Sequence, residues 1–585
     1  MRPLLPFPQP MPTTTKQPFS WFVFPGRTKW TWGDAVALTT IAALLYFGVR
    51  LALRAPAAIA GPAISLSPAM LPVYAGFSFL RMLTAYIISL AFSLWYGSLA
   101  ASNRRAEQFL LPLLDVLQSV PILSFLPVVL LGLSAFLSQD IASECASVVL
   151  IFTSQAWNLA FAWYQALRTV PSELREVASN FRFSPWMRFR TLQLPFAAIS
   201  LIWNSVMSWA GGWFFLMAAE IFTVGNKDFR LPGLGAYLSE AANAGNVQAI
   251  TWGLVTLLSM IVALDQLLWR PLLAWSNRFK LEMVESEQEP QSWFFEAWRK
   301  SRVIGSMIRQ FVSSVTEPVE QWLERKFSVE KNGESGSERS VWTSIAGIVL
   351  AGILLYGAYR AAAMLFQVEL GEWRVITAGI FATALRVFLA MLIALLWTLP
   401  VGVLIGTSSR VAAWVQPIAQ IAASVPATAL FPVLTLGLIT VSGGLNLIAV
   451  LLMLMGTQWY LLFNIIAGVT AIPQDLRLTA DTLGIKGWQR WKIAILPALF
   501  PYIITGLITA SGGAWNASIV AEYTEFGGRT RSVTGIGSAI AKATAAGDYP
   551  MLLAATLTMI LVVVLVNRFL WRRLYALAEE RFRMD

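Results

Sequence analysis

The chain has 585 residues, of which 57% are apolar and only 13% charged, with a mean hydropathy of +0.62. This balance excludes an ordinary soluble multidomain protein and puts the chain in the membrane class. One cysteine and no histidine exclude disulfide frameworks, thiolate or imidazole metal clusters and histidine-dependent catalysis. The formal charge of +11 comes from basic residues set between apolar spans, as in membrane-protein loops, and not from the single stripe that nucleic acid would need.

Residues 1–33 are proline-rich and carry Arg2, Lys16, Arg27 and Lys29. No apolar core precedes a small-residue cleavage site there, so no cleaved signal peptide is expected and the N-terminus is expected in the cytoplasm. Apolar stretches long enough to cross about 30 Å of hydrocarbon as helices follow near 34–54, 77–100, 109–137, 143–165, 195–222 and 248–272. A second series lies near 341–365, 376–405, 414–440, 444–466, 497–521 and 550–571. No strand alternation with a period near ten residues is present, so a β-barrel is not expected. The expected fold is all-α and polytopic, with about 12 transmembrane helices in two halves, 34–274 and 341–585, and a cytoplasmic connector at 275–340. Cys145 is expected to be a small apolar residue facing a neighbouring helix.

The two series are copies of one unit. Arg81, Gly97, Pro112, Ser119-Val120-Pro121, Pro127 and Gly132 recur as Arg386, Gly402, Pro417, Ser424-Val425-Pro426, Pro432 and Gly437, at a constant offset of 305. Trp157, Pro171, Ala178, Pro195, Trp213, Glu220, Gly235 and Gly245 recur as Trp459, Pro473, Ala480, Pro497, Trp515, Glu522, Gly537 and Gly547, at an offset of 302. Glycines and prolines fix turns and kinks, so their agreement implies the same helical unit twice. Two such units facing one another enclose a pathway on a pseudo-two-fold axis, a common transporter plan. Loops expected in the cytoplasm hold roughly twenty Lys and Arg, against roughly six on the other side. Within the connector, Trp293, Ala297, Ile304, Ile308, Phe311, Val315 and Trp322 approximate one stripe among Arg299, Lys300, Arg302 and Arg309, which predicts a helix on the membrane surface or on a partner.

The longest polar interruption of each half separates its fourth and fifth spans. The first copy runs Val170-Pro171-Ser172-Glu173-Leu174-Arg175-Glu176-Val177-Ala178, through Arg182, Arg188 and Arg190, to Leu194-Pro195. The second runs Ile472-Pro473-Gln474-Asp475-Leu476-Arg477-Leu478-Thr479-Ala480, through Gly484, Lys486, Arg490 and Lys492, to Leu496-Pro497. These loops resemble the signature of binding-protein-dependent permeases: Glu-Ala-Ala, a glycine four residues after the second Ala, and a Leu-Pro whose proline follows that glycine by thirteen. Glu176 and Ala178 match in the first copy, where Arg182 replaces the glycine; Ala480 and Gly484 match in the second, where Leu478 replaces the glutamate. The two loops are therefore not expected to be equivalent.

Closer resemblance is to the nitrate, sulfonate, taurine and bicarbonate branch of these ABC importers, in a fused, duplicated form. It is carried by Leu80-Arg81-Met82 and Leu385-Arg386-Val387, the two Ser-Val-Pro triplets, Gly211-Gly212-Trp213 with Ala219-Glu220, Gly512-Gly513-Ala514-Trp515 with Ala521-Glu522, and Leu234-Gly235 with Ile536-Gly537. The resemblance implies a type I importer permease for a small solute, an anion by analogy. It further implies an external or lipid-anchored binding protein and coupling loops docked on two ATPase subunits in the cytoplasm. Glu173, Glu176, Ala178, Arg182, Pro195, Asp475, Ala480, Gly484 and Pro497 are the implied coupling residues. The chain has no Gly-Lys dipeptide and hence no Walker A loop, so ATP and Mg belong to the partner chains and the permease is not itself an enzyme.

Polar groups inside spans are costly in lipid and face protein or a water-filled path. Ser119, Pro121, Gln155, Asn158, Asn204, Ser424, Pro426, Gln458, Asn464 and Asn516 are the candidates, with helix-to-helix hydrogen bonding as the competing role. The Ser-Val-Pro triplets should break their helices, freeing carbonyls that are tolerated along a cavity. Arg81 and Arg386 could attract an anion, or snorkel from just inside an outer span end; Glu220 and Glu522 are expected to cap or pair there. A secondary transporter of twelve spans stays open as an alternative, with Glu144 and Asp265 as unrepeated carboxylates for a relay.

Overall fold

The computed structural model describes residues 32–53, 61–224, 227–279, 294, 296, 341–438, 441, 443–470, 472, 482–485, 487–526 and 529–582. The proline-rich N-terminal segment, the amphipathic stripe of the connector, and Asp475 and Ala480 lie outside the described residues.

The first half comprises α1 (Trp32–Ala52), α2 (Leu71–Ser102), α3 (Arg104–Ser119), α4 (Ile122–Ser134), α5 (Gln139–Thr169), α6 (Ser172–Asn180), α7 (Pro185–Arg188), α8 (Leu194–Glu220), α9 (Leu234–Asn243), α10 (Val247–Leu264) and α11 (Arg270–Ser276). The second comprises α12 (Val341–Leu365), α13 (Leu370–Thr407), α14 (Ser409–Ser424), α15 (Ala427–Leu438), α16 (Gly444–Thr470), α17 (Gly487–Arg490), α18 (Leu496–Glu522), α19 (Ile536–Ala546), α20 (Tyr549–Val566) and α21 (Arg572–Phe582). Short antiparallel hairpins follow α8 (Thr223↔Asp228, Val224↔Lys227) and α18 (Tyr523↔Ser532 through Phe526↔Arg529). Among the described residues, eight helical stretches are long and apolar enough to cross a membrane, and Ile122–Ser134 and Ala351–Leu365 are shorter apolar helices.

The expected third span of each half is in fact two helices. Proline has no N–H to donate and drives the preceding residue out of the helical region. So α3 stops at Ser119 and α4 starts after Pro121, while α14 stops at Ser424 and Val425 is extended (φ −74°, ψ 116°) before Pro426. The short helices that follow the breaks bridge the halves: α4 packs on α1 and α5 of its own half and on α18 and α19 of the other, and α15 packs on α16 of its own half and on α8 and α9 of the other. At one crossing the Leu123 N–H donates to Asn516 Oδ1 (3.4 Å) and Thr556 Oγ1 to the Ser124 carbonyl (3.5 Å).

Within each half the long helices approach through small residues, the packing that apolar surroundings favour. A Cβ on Gly97 of α2 would press on the Trp163 ring and the Ala160 carbonyl of α5, and one on Gly402 of α13 on Ile465 of α16. The first helices of the two halves also meet, with Gly357 of α12 against Ala43 and Phe47 of α1 and the Arg360 guanidinium 5.9 Å from the Tyr46 ring.

Candidate functional site: paired loops and a buried carboxylate clamp

The first loop is built around α6, whose opening is set by Pro171 and held by Arg175, which donates through Nε and Nη2 to the Val170 carbonyl (3.0 and 2.7 Å). Glu173 and Glu176 are exposed, whereas Ala178 is buried. The helix closes in a Schellman motif, with Phe183 N–H donating to the Ala178 carbonyl and Arg182 N–H to that of Ser179 (both 3.0 Å). That motif needs a left-handed residue just past the helix end. Arg182 takes it at φ 52°, and Gly484, at the equivalent position of the second loop, has φ 67°. The glycine of the signature is thus explained by its backbone, and Arg182 bears strain that Gly484 avoids. A side chain in this region costs about 1 kcal/mol. Gly484→Ala is therefore expected to lower the thermal stability of the purified chain by about that amount and Arg182→Gly to raise it; no shift in either direction would contradict this account.

Each loop runs directly into a spanning helix. Pro195 and Pro497 cannot donate to the carbonyl one turn earlier, and the preceding turn widens to π geometry at Phe189–Gln193 and Trp491–Ile495, closed by Leu194 N–H to the Phe189 carbonyl and Leu496 N–H to that of Trp491. With 27 residues, α8 reaches roughly 40 Å from the loop to Glu220.

At that far end lies a constellation that occurs twice. The N-cap of α9 is Gly233, which offers no side chain. The first N–H groups of α9 are satisfied by other helices: Leu234 N–H donates to Ser78 Oγ (3.0 Å) and Gly235 N–H to Glu220 Oε2 (2.7 Å). Ser78 Oγ and Arg81 Nη1 both donate to Glu220 Oε1 (2.7 and 2.9 Å), and Arg81 Nη1 also to the Pro232 carbonyl (2.8 Å). In the second half Ile536 N–H donates to Thr383 Oγ1 (3.0 Å), Gly537 N–H to Glu522 Oε2 (2.9 Å), and Thr383 and Arg386 to Glu522 Oε1 (2.6 and 2.8 Å). A negative charge at a helix N-terminus is favourable, and a buried ion is tolerated when fully paired; the two carboxylates are 0% and 1% exposed. A Cβ on Gly233 or Gly535 would run into them, so both caps must be glycine.

The copies differ in one group. Arg81 gives Nε and Nη2 to the Glu144 carboxylate (2.7 and 2.6 Å), whereas Arg386 gives the same two atoms to the amide oxygen of Asn446 (3.2 and 2.7 Å). Glu144 thus does have a repeat partner, an uncharged one. Arg81 and Arg386 are 6% and 8% exposed and face carboxylates in a clamp, so neither is a chain snorkelling to water as the sequence had allowed. Asp265, the other carboxylate considered for a relay, pairs with Arg270 at 2.9 Å. Beside the first clamp, Arg230 joins the hairpin to α9 by bonding Asp228 and Glu240, and the Asp228 carboxylate raises its pKa further above the ordinary value.

Of the polar candidates inside the spans whose side chains are described, Asn516 joins the halves at a proline break; its amide also donates to the Gly512 carbonyl (3.0 Å). Gln155 is buried and bonds Met82 Sδ (3.3 Å), and Gln458 accepts from Trp397 (3.1 Å), both within one half. Asn204 and Asn464 donate one turn back along their own helices, to Ser200 and Tyr460. Asn158 is half-buried on α5. Ser119 and Ser424 mark helix ends and Pro121 and Pro426 the breaks that follow. Sequence reasoning missed α9, α19 and the hydroxyls of Ser78 and Thr383; the available signal was Gly-x-Gly at 233–235 and 535–537, with a hydroxyl residue three before each repeated arginine.

Apolar spans, two series of elements in matching order, and repeated clamps and loops define a helical, multi-pass membrane protein made of two copies of one unit. The profile of the binding-protein-dependent transport system inner membrane components matches residues 89–268 and 398–583, and the chain belongs to that family, carrying its domain twice. It is similar to the nitrate import permease protein NrtB of Leptolyngbya laminosa, with 31% identity over 245 residues, 39% of this chain and 84% of that protein. It is also similar to the bicarbonate transport system permease protein CmpB of Synechococcus elongatus (30% over 156 residues; 27% of this chain, 53% of that one). A third relative is the taurine transport system permease protein TauC of Escherichia coli (29% over 141 residues; 24% and 50%). The chain spans about half the length of the last two.

Proposed function

We propose that this chain is the whole transmembrane pathway of an ATP-driven importer in a bacterial inner membrane, with both termini in the cytoplasm. An external binding protein delivers a small anion of the nitrate, bicarbonate or sulfonate kind between the two halves. Two separate ATPase subunits, which hold ATP and Mg, grip the paired loops and tilt the fifth span of each half. The observation that carries this proposal is the junction of loop and span: in the first loop a capped helix leads through α7 and one wide turn into a membrane-length helix, and the second loop enters its own membrane-length helix through the same wide turn. Phe181 and Leu483 occupy equivalent loop positions and are 73% and 68% exposed; large apolar groups at the tip of a basic loop suit a partner's groove. Gentle purification is expected to recover the chain with an ATPase at two copies per permease. Recovery of the chain alone, transporting anion in proteoliposomes without ATP, would overturn the proposal in favour of a secondary transporter.

The proline breaks supply the moving part of the pathway. The helices after the breaks touch both halves, so a change at either break alters the seam between them. Pro121→Ala with Pro426→Ala is expected to cut anion uptake severalfold at normal membrane abundance, measured with labelled anion in cells. Unchanged uptake would remove the breaks from the mechanism.

A further inference from the structure

The paired clamps have a position that the importer proposal does not use. Each joins three elements: the end of the fifth long helix (Glu220, Glu522), the second (Ser78 and Arg81, Thr383 and Arg386) and the start of a short helix, α9 or α19. That short helix packs on the helix that follows the proline break of the other half, α9 on α15 and α19 on α4. A chain of contacts therefore runs from loop to fifth helix, from its terminal carboxylate to the N-terminus of the short helix, and from there to the opposite half beyond its proline break.

We propose that α9 and α19 form the gate across the seam at this end of the pathway, and that Glu220 and Glu522 are positioning residues that make each gate helix move as one body with the fifth helix. A carboxylate suits this task because it binds the gate helix through the backbone N–H of Gly235 or Gly537 and is itself held by a guanidinium and a hydroxyl on a separate helix. No covalent bend is needed; tilting α8 drags the first turn of α9. The glycine caps have the matching purpose of letting each carboxylate reach the backbone. The proposal rests on the importer assignment for the source of the movement.

The test uses the complete complex with its ATPases, in a Cys145→Ala background, with spin labels in two repeat-related pairs. Ala244 and Ala546 report on the ends of the gate helices; Met187 and Gln489 report on the loops, and all four are exposed. Distances are compared without nucleotide and after trapping with ATP and vanadate. In the parent both pairs are expected to change. In Glu220→Gln with Glu522→Gln, the loop pair still responds while the response of the gate pair falls by more than half. The milder Ser78→Ala with Thr383→Val serves if the first combination does not assemble, and predicts the same split in smaller measure. A gate pair that follows nucleotide as well in the variants as in the parent overturns the proposal, as does a parent in which the loop pair moves and the gate pair stays fixed. Failure of the importer assignment looks different: no ATPase assembles, or neither pair responds in the parent.

Discussion

Glu522→Ala should destabilise the chain more than Glu220→Ala, although the two residues are repeats of one another. Removing one partner of a buried ion pair leaves an uncompensated charge and costs about 3–5 kcal/mol. In the second half Arg386 would keep only the amide oxygen of Asn446, whereas in the first Arg81 would keep the bidentate Glu144 carboxylate. The full penalty therefore falls on Glu522→Ala and a smaller one on Glu220→Ala. The order inverts for the arginines: Arg81→Met leaves the Glu144 and Glu220 carboxylates without the guanidinium they share, while Arg386→Met leaves a single carboxylate, Glu522, still bonded by the Thr383 hydroxyl and the Gly537 and Ser538 N–H groups. Thermal unfolding of the four purified variants in detergent tests both orders at once. Equal losses within each pair would show that the Glu144 and Asn446 difference has no energetic weight.

Disrupting both loops is the second large effect. Glu176→Lys with Ala178→Leu changes the face of the first short helix, and Ala480→Leu with Gly484→Ala changes the matching signature positions of the second loop, all without touching a span. Anion uptake is expected to fall at least about tenfold, equivalent to some 1.4 kcal/mol of lost coupling, while the amount of chain in the membrane stays near normal and ATP hydrolysis no longer tracks uptake. The readout is the ratio of anion taken up to ATP consumed in proteoliposomes. Retention of both transport and coupling by the fourfold variant would mean that the loops are not the levers.

The all-α character, the duplication and the loops were legible because they are written in composition, in glycine and proline spacing, and in charge placed between apolar runs. The helix breaks were also foreseen, but not their consequence. A window scan adds apolar residues on both sides of Pro121 into one span, and only the packing shows that Ile122–Ser134, seated on α1 and α5 of its own half, also reaches α18 and α19 of the other. The clamp was harder to see. A search for identical residues pairs Arg81 with Arg386 and Glu220 with Glu522 but passes over Ser78 with Thr383 and Glu144 with Asn446, where the chemistry is only partly kept. An arginine near a span end suggests snorkelling on general grounds; what decides otherwise is a carboxylate some 140 residues away in sequence, brought to 2.9 Å by the fold. Arg182 teaches the opposite lesson. Its mismatch to the signature was visible, and the backbone angle shows that the shape was kept although the residue was not.

The central claim is that both loops are intracellular levers held by a nucleotide-driven partner. Cysteines placed at Phe181 and at Leu483 in the Cys145→Ala chain, co-expressed with the ATPase subunits and treated with a short bifunctional thiol-to-amine reagent, test it most directly. The account predicts a cross-linked permease–ATPase product from each position. Absence of that product from both, together with modification of both cysteines by an impermeant reagent added outside intact cells, would contradict it.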